Sequence, residues 1–232
     1  MKPAGSSGLG ALGRSDVALA VVAHPDDESF GLGAVLSALA RSGTRISVLC
    51  FTHGEASTLA AGVDGEERLH EVREAELAAA SRALGLHHVE LCDYPDGRLS
   101  SVPVSELAEV VRALVQKVAA DLLVVFDEGG VTGHPDHVRA TEAARTAADH
   151  LRLPVLSWSV PQRVADELNT EFGTSFAGRT ADEVDHWIMV DRQAQLTAIA
   201  CHRSQSTSNQ VLWRRLELTG DREPLRLLPT RT

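Results

Sequence analysis

The stretch VALAVVAHPDDE, residues 17–28, places a dense polar cluster directly after a short apolar run. The valine-rich run has the length and composition of a buried β-strand. The cluster puts an imidazole, a proline and three carboxylates into five positions, and its neighbours Asp26 and Asp27 repel each other. Because burying adjacent like charges is costly, this crowding indicates a functional loop in which a cation would offset the repulsion.

The alternation of apolar runs with helical spacing continues along the chain. The predicted strands are 16–23, 44–54, 88–97, 121–130 and 153–161, and the clearest helices between them are 65–85, 101–120 and 134–151. Strands that alternate with helices favour a parallel sheet covered on both faces. The predicted fold is therefore α/β, a Rossmann-like three-layer αβα sandwich with a mostly parallel sheet.

The pattern changes after Pro161, where a mixed and polar segment begins. A strand at 186–192 and a helix at 192–206 follow, and QVLWRRLEL (210–218) and PLRLLP (224–229) are predicted to be closing strands. These segments form a C-terminal extension of the sandwich. We expect one domain over 16–232, preceded by a flexible Gly/Ser-rich tail at 1–15.

Composition narrows the classes of function. The chain has 232 residues, 44% of them hydrophobic, and a net charge of −10, which argues against a nucleic-acid partner or an anionic membrane surface. No apolar stretch approaches the ~20 residues that span a bilayer. The three cysteines are scattered, which favours free thiols over a disulfide framework. We expect a cytoplasmic protein with no membrane span, whose oligomeric state the sequence leaves open.

Two His-Pro-Asp motifs follow separate strands of the predicted sheet. The first contains His24 and Asp27, and the second, HPDH, contains His134 and His137. Imidazole and carboxylate are the usual nitrogen and oxygen ligands of Zn²⁺, and a set of two His and one Asp leaves positions open for water. Either motif alone is equally compatible with a capped helix start. Their pairing at one sheet edge favours a shared metal site.

These motifs resemble the PIG-L/LmbE-like family of zinc-dependent N-deacetylases. AHPDDE (23–28) with GHPDH (133–137) carries the resemblance, and REAELAAASRALG (73–85) and HRSQ (202–205) extend it over residues 17–206. The resemblance implies a hydrolase that removes an acetyl group from an N-acetylglucosaminyl-type small-molecule conjugate through a metal-activated water. It implies His24, Asp27 and His137 as ligands of Zn²⁺, with another divalent transition metal such as Fe²⁺ as an alternative.

The same resemblance implies roles for the remaining motif residues. Asp26 would be the general base, and His134 would stabilise the oxyanion or give a proton to the leaving amine. Asp136 would orient His134. Arg73 resembles the arginine with which family members contact the substrate, and this role is favoured over the alternatives of a solvated helix charge or an i,i+3 pair with Glu76.

One departure from the family pattern concerns a tyrosine. Some members carry it two residues before the first histidine of the second motif, where this chain has Thr132, and the only tyrosine here is Tyr94. We expect Tyr94 to be a rim or packing residue. The sequence leaves the roles of Glu28, His53 and His202 open.

Several other functions are weighed against the deacetylase. A serine hydrolase is disfavoured because GxSxG is absent, and GLGAVL (31–36) lacks the third glycine of a dinucleotide-binding loop. A same-family amidase that acts on another amide, such as a mycothiol S-conjugate or a natural product, stays open. A non-catalytic sugar-binding module is disfavoured because binding alone does not need the base Asp26.

Overall fold

The computed structural model describes residues 14–59 and 66–229. Of the predicted N-terminal tail, only residues 14 and 15 fall within these ranges, so the tail lies almost wholly outside the described residues. Residue 15 already contacts the domain, because the Ser15 hydroxyl donates a hydrogen bond of 2.5 Å to the Asp121 carboxylate.

A seven-stranded sheet forms the centre of the molecule. Its strands are β1 (Val17–Val22), β2 (Arg45–Thr52), β3 (His88–Tyr94), β4 (Leu122–Phe126), β5 (Val155–Trp158), β8 (His186–Met189) and β9 (Arg222–Leu228), in the spatial order β3-β2-β1-β4-β5-β9-β8. Strands β1 to β5 are all parallel. A further pair, β6 (Val160–Pro161) and β7 (Gly178–Arg179), lies outside this sheet. The predicted α/β fold with a mostly parallel sheet is confirmed.

Helices cover both faces of the sheet. They are α1 (Asp27–Phe30), α2 (Gly33–Arg41), α3 (Glu66–Leu84), α4 (Val104–Val118), α5 (Pro135–Leu151), α6 (Gln162–Phe172), α7 (Gln193–Cys201), α8 (Arg203–Ser206) and α9 (Gln210–Thr219). Strand β1 is buried along its whole length, and its successive side chains enter two different hydrophobic clusters. Ala20 packs in the cluster that contains Leu36 of α2, whereas Leu19 packs with Val111 of α4. This alternation is the three-layer arrangement that the sequence predicts.

The C-terminal extension adds two strands to the sheet, and one of its segments differs from the prediction. Strand β9 pairs antiparallel with β5 and with β8, which agrees with the predicted strands at 186–192 and 224–229. The predicted strand at 210–218 is wrong, because this segment is helix α9. The Asn209 side chain caps the helix by accepting the Leu212 N–H, and Leu212 and Leu216, four residues apart, are buried on one helix face.

Within residues 14–59 and 66–229, no helix combines the length and the apolar character that crossing a membrane requires. The cytoplasmic location and the lack of a nucleic-acid partner stay predictions.

Candidate metal centre and active site

The loop between β1 and α1 has an unusual backbone. Asp26 has φ 131°, a region that residues other than glycine rarely adopt and that costs of order 1–3 kcal/mol. Its N–H donates to the Glu28 carboxylate at 2.9 Å, and its carbonyl accepts the Ser29 N–H at 2.9 Å. These bonds hold the loop in a conformation that directs two adjacent carboxylates in different directions.

Three donor atoms from the two motifs converge at the strand-end edge of the sheet. His24 Nδ1 lies 3.1 Å from His137 Nε2, and Asp27 Oδ1 lies 3.1 Å from the same Nε2. Asp27 Oδ2 is 3.5 Å from His24 Nδ1. Ligands that surround Zn²⁺ tetrahedrally at its usual bond lengths stand ~3.3 Å apart. The spacing of these three side chains therefore fits one divalent cation.

The outer atoms of these side chains are also engaged. His137 Nδ1 lies 2.7 Å from the hydroxyl of Thr132, and Asp27 Oδ2 accepts the N–H of His24 at 2.9 Å. His24 Nε2 lies 3.0 Å from Asp96 Oδ1, although it is not aligned for a hydrogen bond. Partners of this kind fix the orientation of metal ligands. The sequence indicates neither contact, because Thr132 and Asp96 act on the candidate ligands through these outer atoms.

The electrostatics of the site also favour a cation. Burial acts to lower the pKa of His24, but the neighbouring carboxylates of Asp136, Asp27 and Asp96 raise it well above its ordinary value. Burial opposes ionisation of Asp27, yet His137 and His24 hold its pKa well below the usual range. The acidic groups around His24 thus stabilise positive charge, and a divalent cation fits the place that a proton would otherwise fill.

Asp26 lies beside this centre and pairs with Arg73. Arg73 Nη2 is 2.8 Å from Asp26 Oδ2, and the guanidinium also donates to the carbonyls of Gly54 and Pro25. Burial raises the pKa of Asp26 to about 6, against the opposing effect of Arg73. Arg73 is only 3% exposed. Its predicted contact with substrate stays a prediction, and its immediate partner in the structure is Asp26.

His134 caps the N-terminus of α5, where its Nδ1 accepts the Asp136 N–H at 3.2 Å. A neutral ring with an accepting Nδ1 carries its proton on Nε2. Burial and the neighbouring His24 and His137 lower the pKa of His134, which favours this neutral form. The ring stands edge-on to His24 with the centroids 4.9 Å apart.

The prediction that the Asp136 side chain orients His134 needs correction. The fully buried carboxylate of Asp136 accepts the N–H groups of Gly97 at 2.8 Å and Leu99 at 3.1 Å, and it lies 3.6 Å from His24 Nε2. From the first turn of α5 this side chain reaches the loop after β3, so only the Asp136 backbone contacts His134. The carboxylate instead acts on His24 and on that loop.

Glu28 and His202 form a fully buried pair behind the loop. His202 Nε2 lies 2.7 Å from Glu28 Oε1, while Glu28 Oε2 accepts the Asp26 N–H. Burial acts to raise the pKa of Glu28, but the charge and hydrogen bond of His202 lower it. Glu28 and His202, whose roles the sequence leaves open, therefore support the loop between β1 and α1.

A cavity of about 740 Å³ opens over the site. The predicted residues that line it are His24, Asp26, Asp27, Arg73, His134 and His137, and its apolar wall includes Phe30, Phe126, Trp158, Phe176 and Leu212.

Tyr94 lies outside the cavity lining. Its hydroxyl donates a hydrogen bond to Glu106 at 3.1 Å and its ring packs against Phe51, as expected of a packing residue. His53 contacts Asp93 and stacks on His70.

The fold and this site define an α/β protein with a candidate divalent-cation centre at the strand-end edge of its sheet. The chain belongs to the PIG-L family: residues 19–148 match the family model described as GlcNAc-PI de-N-acetylase. The resemblance carried by the two motifs is thereby confirmed.

Curated relatives are similar over varying shares of the chain. A 1D-myo-inositol 2-acetamido-2-deoxy-alpha-D-glucopyranoside deacetylase of Corynebacterium glutamicum is 30% identical over 84% of this chain and 74% of its own length. A relative of the same name from Nocardioides sp. is 28% identical over 82% of this chain and 83% of its own length. The chain spans only about half of a longer relative from Catenulispora acidiphila, which is 32% identical over 56% of this chain and 47% of its own length.

Solved structures share the architecture at lower identity. N,N'-diacetylchitobiose deacetylase from Pyrococcus horikoshii matches with a TM-score of 0.68 at 20% identity, over 93% of this chain and 85% of that one. The deacetylase of the antimicrobial A40926 pseudoaglycone matches with a TM-score of 0.67 at 19% identity, over 93% and 98% of the two chains. At these identities the likeness concerns the fold alone.

Proposed function

We propose that this protein is a Zn²⁺-dependent N-deacetylase of small-molecule N-acetylglucosaminyl conjugates. The observation that carries the proposal is the convergence of His24, Asp27 and His137 on one point, with Asp26 beside it and a cavity above it. Family membership and the names of the relatives support the reaction and the class of substrate.

His24 Nδ1, Asp27 Oδ1 and His137 Nε2 would hold the cation. A divalent cation bound there supplies Lewis-acid chemistry, which polarises an amide carbonyl and increases the acidity of water. Asp27 Oδ2 is occupied by backbone N–H groups, which leaves Oδ1 as the ligating oxygen. Fe²⁺ is the alternative cation, since the donor set of two nitrogens and one oxygen also suits it.

Asp26 would act as the general base. Its ion pair with Arg73 occupies Oδ2, so Oδ1 accepts the proton of the attacking water. A carboxylate whose pKa is raised to about 6 is ionised at neutral pH and still basic enough to take a proton in the transition state. The water oxygen then bonds to the acetyl carbon.

His134 would serve the other end of the reaction. Its Nε2–H is a donor for the negative charge that develops on the carbonyl oxygen, a contribution of typically ~10²–10³ in turnover. When the C–N bond breaks, the amine leaves with the proton that Asp26 received, because a neutral imidazole such as His134 is too weak an acid to supply one. The second proton of the attacking water also passes to the amine, so the products are acetate and the ammonium form of the amino sugar, and atoms and charge balance.

The test is a screen of the zinc-loaded full chain for release of acetate and free amine. The substrates are 1D-myo-inositol 2-acetamido-2-deoxy-alpha-D-glucopyranoside, N,N'-diacetylchitobiose and other N-acetylglucosaminyl conjugates. We expect equal amounts of acetate and amine from at least one of them. The absence of both products from every acetamido sugar would overturn the proposal.

The variant that tests the general base is Asp26→Asn, which keeps the shape of the side chain but removes the basic carboxylate. We expect it to bind zinc as the wild type does and to lose ~10²–10⁴ of the turnover, the range that general bases supply. Turnover within about twofold of wild type would show that the assignment of Asp26 is wrong.

A further inference from the structure

A second group of potential ligands lies outside the candidate metal centre. His53, in the loop after β2, lies with His70 and Glu74 of α3 such that one nitrogen or oxygen from each falls within 4.8 Å of the others. His70 and Glu74 are four residues apart and therefore share one face of the helix. The group draws on two separate elements, as a folded metal site does.

His53 carries the observation that points to a ligand. The residue is 6% exposed, and its Nε2 lies 3.0 Å from Asp93 Oδ1. An ionised carboxylate only accepts hydrogen bonds, so Nε2 carries the proton and Nδ1 is left as a bare lone pair. That Nδ1 is buried and has no hydrogen-bond partner among the described residues. An unsatisfied buried acceptor costs about 1–3 kcal/mol, which a bound cation would remove.

We propose that His53 Nδ1, His70 and Glu74 form a second divalent-cation site, selective for Zn²⁺ and similar first-row metals. Two imidazoles and one carboxylate are a donor set of that class, and a water would complete the coordination. Asp93 holds the first imidazole in the tautomer that can bind metal, as outer carboxylates do for metal-bound histidines. The proposal does not depend on the proposed deacetylase activity.

Binding requires a local rearrangement that the structure defines. The rings of His53 and His70 are stacked, with centroids 3.4 Å apart and planes 15° from parallel. Parallel rings cannot both point an in-plane lone pair at one ion. His53 is buried, whereas His70 is only half-buried, so His70 is the ring that swings out of the stack. Glu74 is exposed and free to follow.

The proposed second site is connected through the chain to residues that line the cavity. Residue 54, directly after His53, supplies the carbonyl that accepts from Arg73 Nη1 at 2.7 Å. Residues 56–59, a few positions further, line the cavity. A cation bound by His53 and by α3 would fasten the start of this rim segment to the helix that carries Arg73.

The test measures zinc stoichiometry of the full chain by equilibrium dialysis with elemental analysis. We expect two equivalents in the wild type and one in His70→Ala and in Glu74→Gln, with the Kd of the second equivalent raised at least ~10-fold. Glu71→Gln, a charge-matched change at an exposed position of the same helix, should retain two. Asp27→Asn, which removes a ligand of the first centre, should retain one.

Contrary results are equally specific. One equivalent in the wild type, two tight equivalents in His70→Ala, or none in Asp27→Asn would each overturn the second site. All of the substituted side chains at this site are exposed or half-buried, and a native circular dichroism spectrum of each variant confirms that lost zinc reflects a lost ligand. An inactive wild type that binds two equivalents would contradict the proposed function and leave this site standing.

Discussion

Asp26 is the residue on which the chemistry of the site depends, and its backbone conformation and two neighbours determine where its carboxylate lies. Its φ of 131° turns the side chain away from Asp27, the N–H bond to Glu28 holds that turn, and Arg73 fixes one carboxylate oxygen. Gly54 is part of this arrangement, because a Cβ at its φ of 68° would overlap the Arg73 guanidinium. Contacts from several elements therefore hold Asp26 in a backbone conformation that residues other than glycine rarely adopt.

Replacing Arg73 separates two interpretations of that residue. If Arg73 positions Asp26, then Arg73→Gln should lower kcat by roughly 10²-fold, the loss that a misplacement of about 1 Å causes, with little change in KM. Steady-state kinetics on the best substrate of the screen measures both constants. Arg82→Gln, at an exposed position of the same helix, is the control. A raised KM with unchanged kcat would instead support the substrate contact that the family resemblance implies.

Thr132 tests the outer partners of the metal ligands. Its hydroxyl lies 2.7 Å from His137 Nδ1, and it also makes longer hydrogen bonds with the Gly130 carbonyl at 3.4 Å and the His134 N–H at 3.3 Å. Thr132→Val keeps the size of the side chain and removes the short bond to His137 together with these two weaker ones. We expect zinc affinity at the first centre to fall by ~10–100-fold, as for other outer-partner changes. Thr132→Ser should restore most of it. Competition with a chromophoric chelator gives the Kd, and unchanged affinity in Thr132→Val would remove Thr132 from the account.

At the scale of elements, α1 is tied to α8 by the buried pair of Glu28 and His202. Burial acts to lower the pKa of His202, but Glu28 raises it above its ordinary 6.5. The stabilisation from His202 is therefore complete below pH 6.5 and is lost as pH rises through the higher folded value. The pKa of Glu28 is lowered from 4.5, so its contribution is present above pH 4.5 and is lost as pH falls through the folded value.

These opposite dependences predict a window in pH. The difference in free energy of unfolding between wild type and His202→Gln should be largest between pH 4.5 and 6.5, and should shrink toward both pH 4 and pH 9. We expect up to about 3 kcal/mol at its maximum, since removing one member of a buried pair leaves the other uncompensated. Urea unfolding across that range measures it. A difference that is constant with pH would show that the pair is not ionised.

A helix or strand can be predicted where one hydrophobic pattern, either helical or strand-like, dominates the local sequence. Strand β1 is apolar at every position because both of its faces are buried, and that pattern has few alternatives. In α9 the apolar run Val211–Trp213 suggested a strand, yet the cap Asn209, the Leu212/Leu216 spacing and the stop at Gly220 indicate a helix. Because the short apolar run also fits a strand, the local pattern alone does not decide between the two.

The contacts of the Asp136 side chain cannot be predicted from the local pattern in the same way. The Asp136 carboxylate binds the loop at residues 97–99, and that loop is brought to α5 only by the packed fold. A motif gives the types of residues in a site, whereas the hydrogen-bond partners of the Asp136 carboxylate come from a segment about forty positions away.

At the scale of the whole molecule, sheet order explains why two distant motifs meet. Strands β1 and β4 are parallel neighbours at the centre of the order β3-β2-β1-β4-β5, where the chain reverses the direction in which it adds strands. Loops that follow two such strands diverge and leave a crevice for ligands. His24 follows β1 and His137 follows β4, so residues 113 positions apart bring ring nitrogens to 3.1 Å.

The C-terminal extension is joined to this parallel half by a buried charge cluster. Asp127, which directly follows β4, accepts a hydrogen bond from Ser157 of β5 at 3.0 Å. It also accepts from Arg226 of β9 at 2.7 Å and from Arg179 of β7 at 2.5 Å. One carboxylate thus connects four strands. It keeps the segments that follow residue 161 in register with the sheet edge on which the cavity is built.

The most direct measurement is anomalous scattering at the zinc edge from crystals of the full chain grown with Zn²⁺. The account predicts a peak ~2.0–2.2 Å from His24 Nδ1, Asp27 Oδ1 and His137 Nε2 together. A saturated crystal with no anomalous density between these three atoms would contradict the shared metal centre, and the proposed chemistry would fail with it.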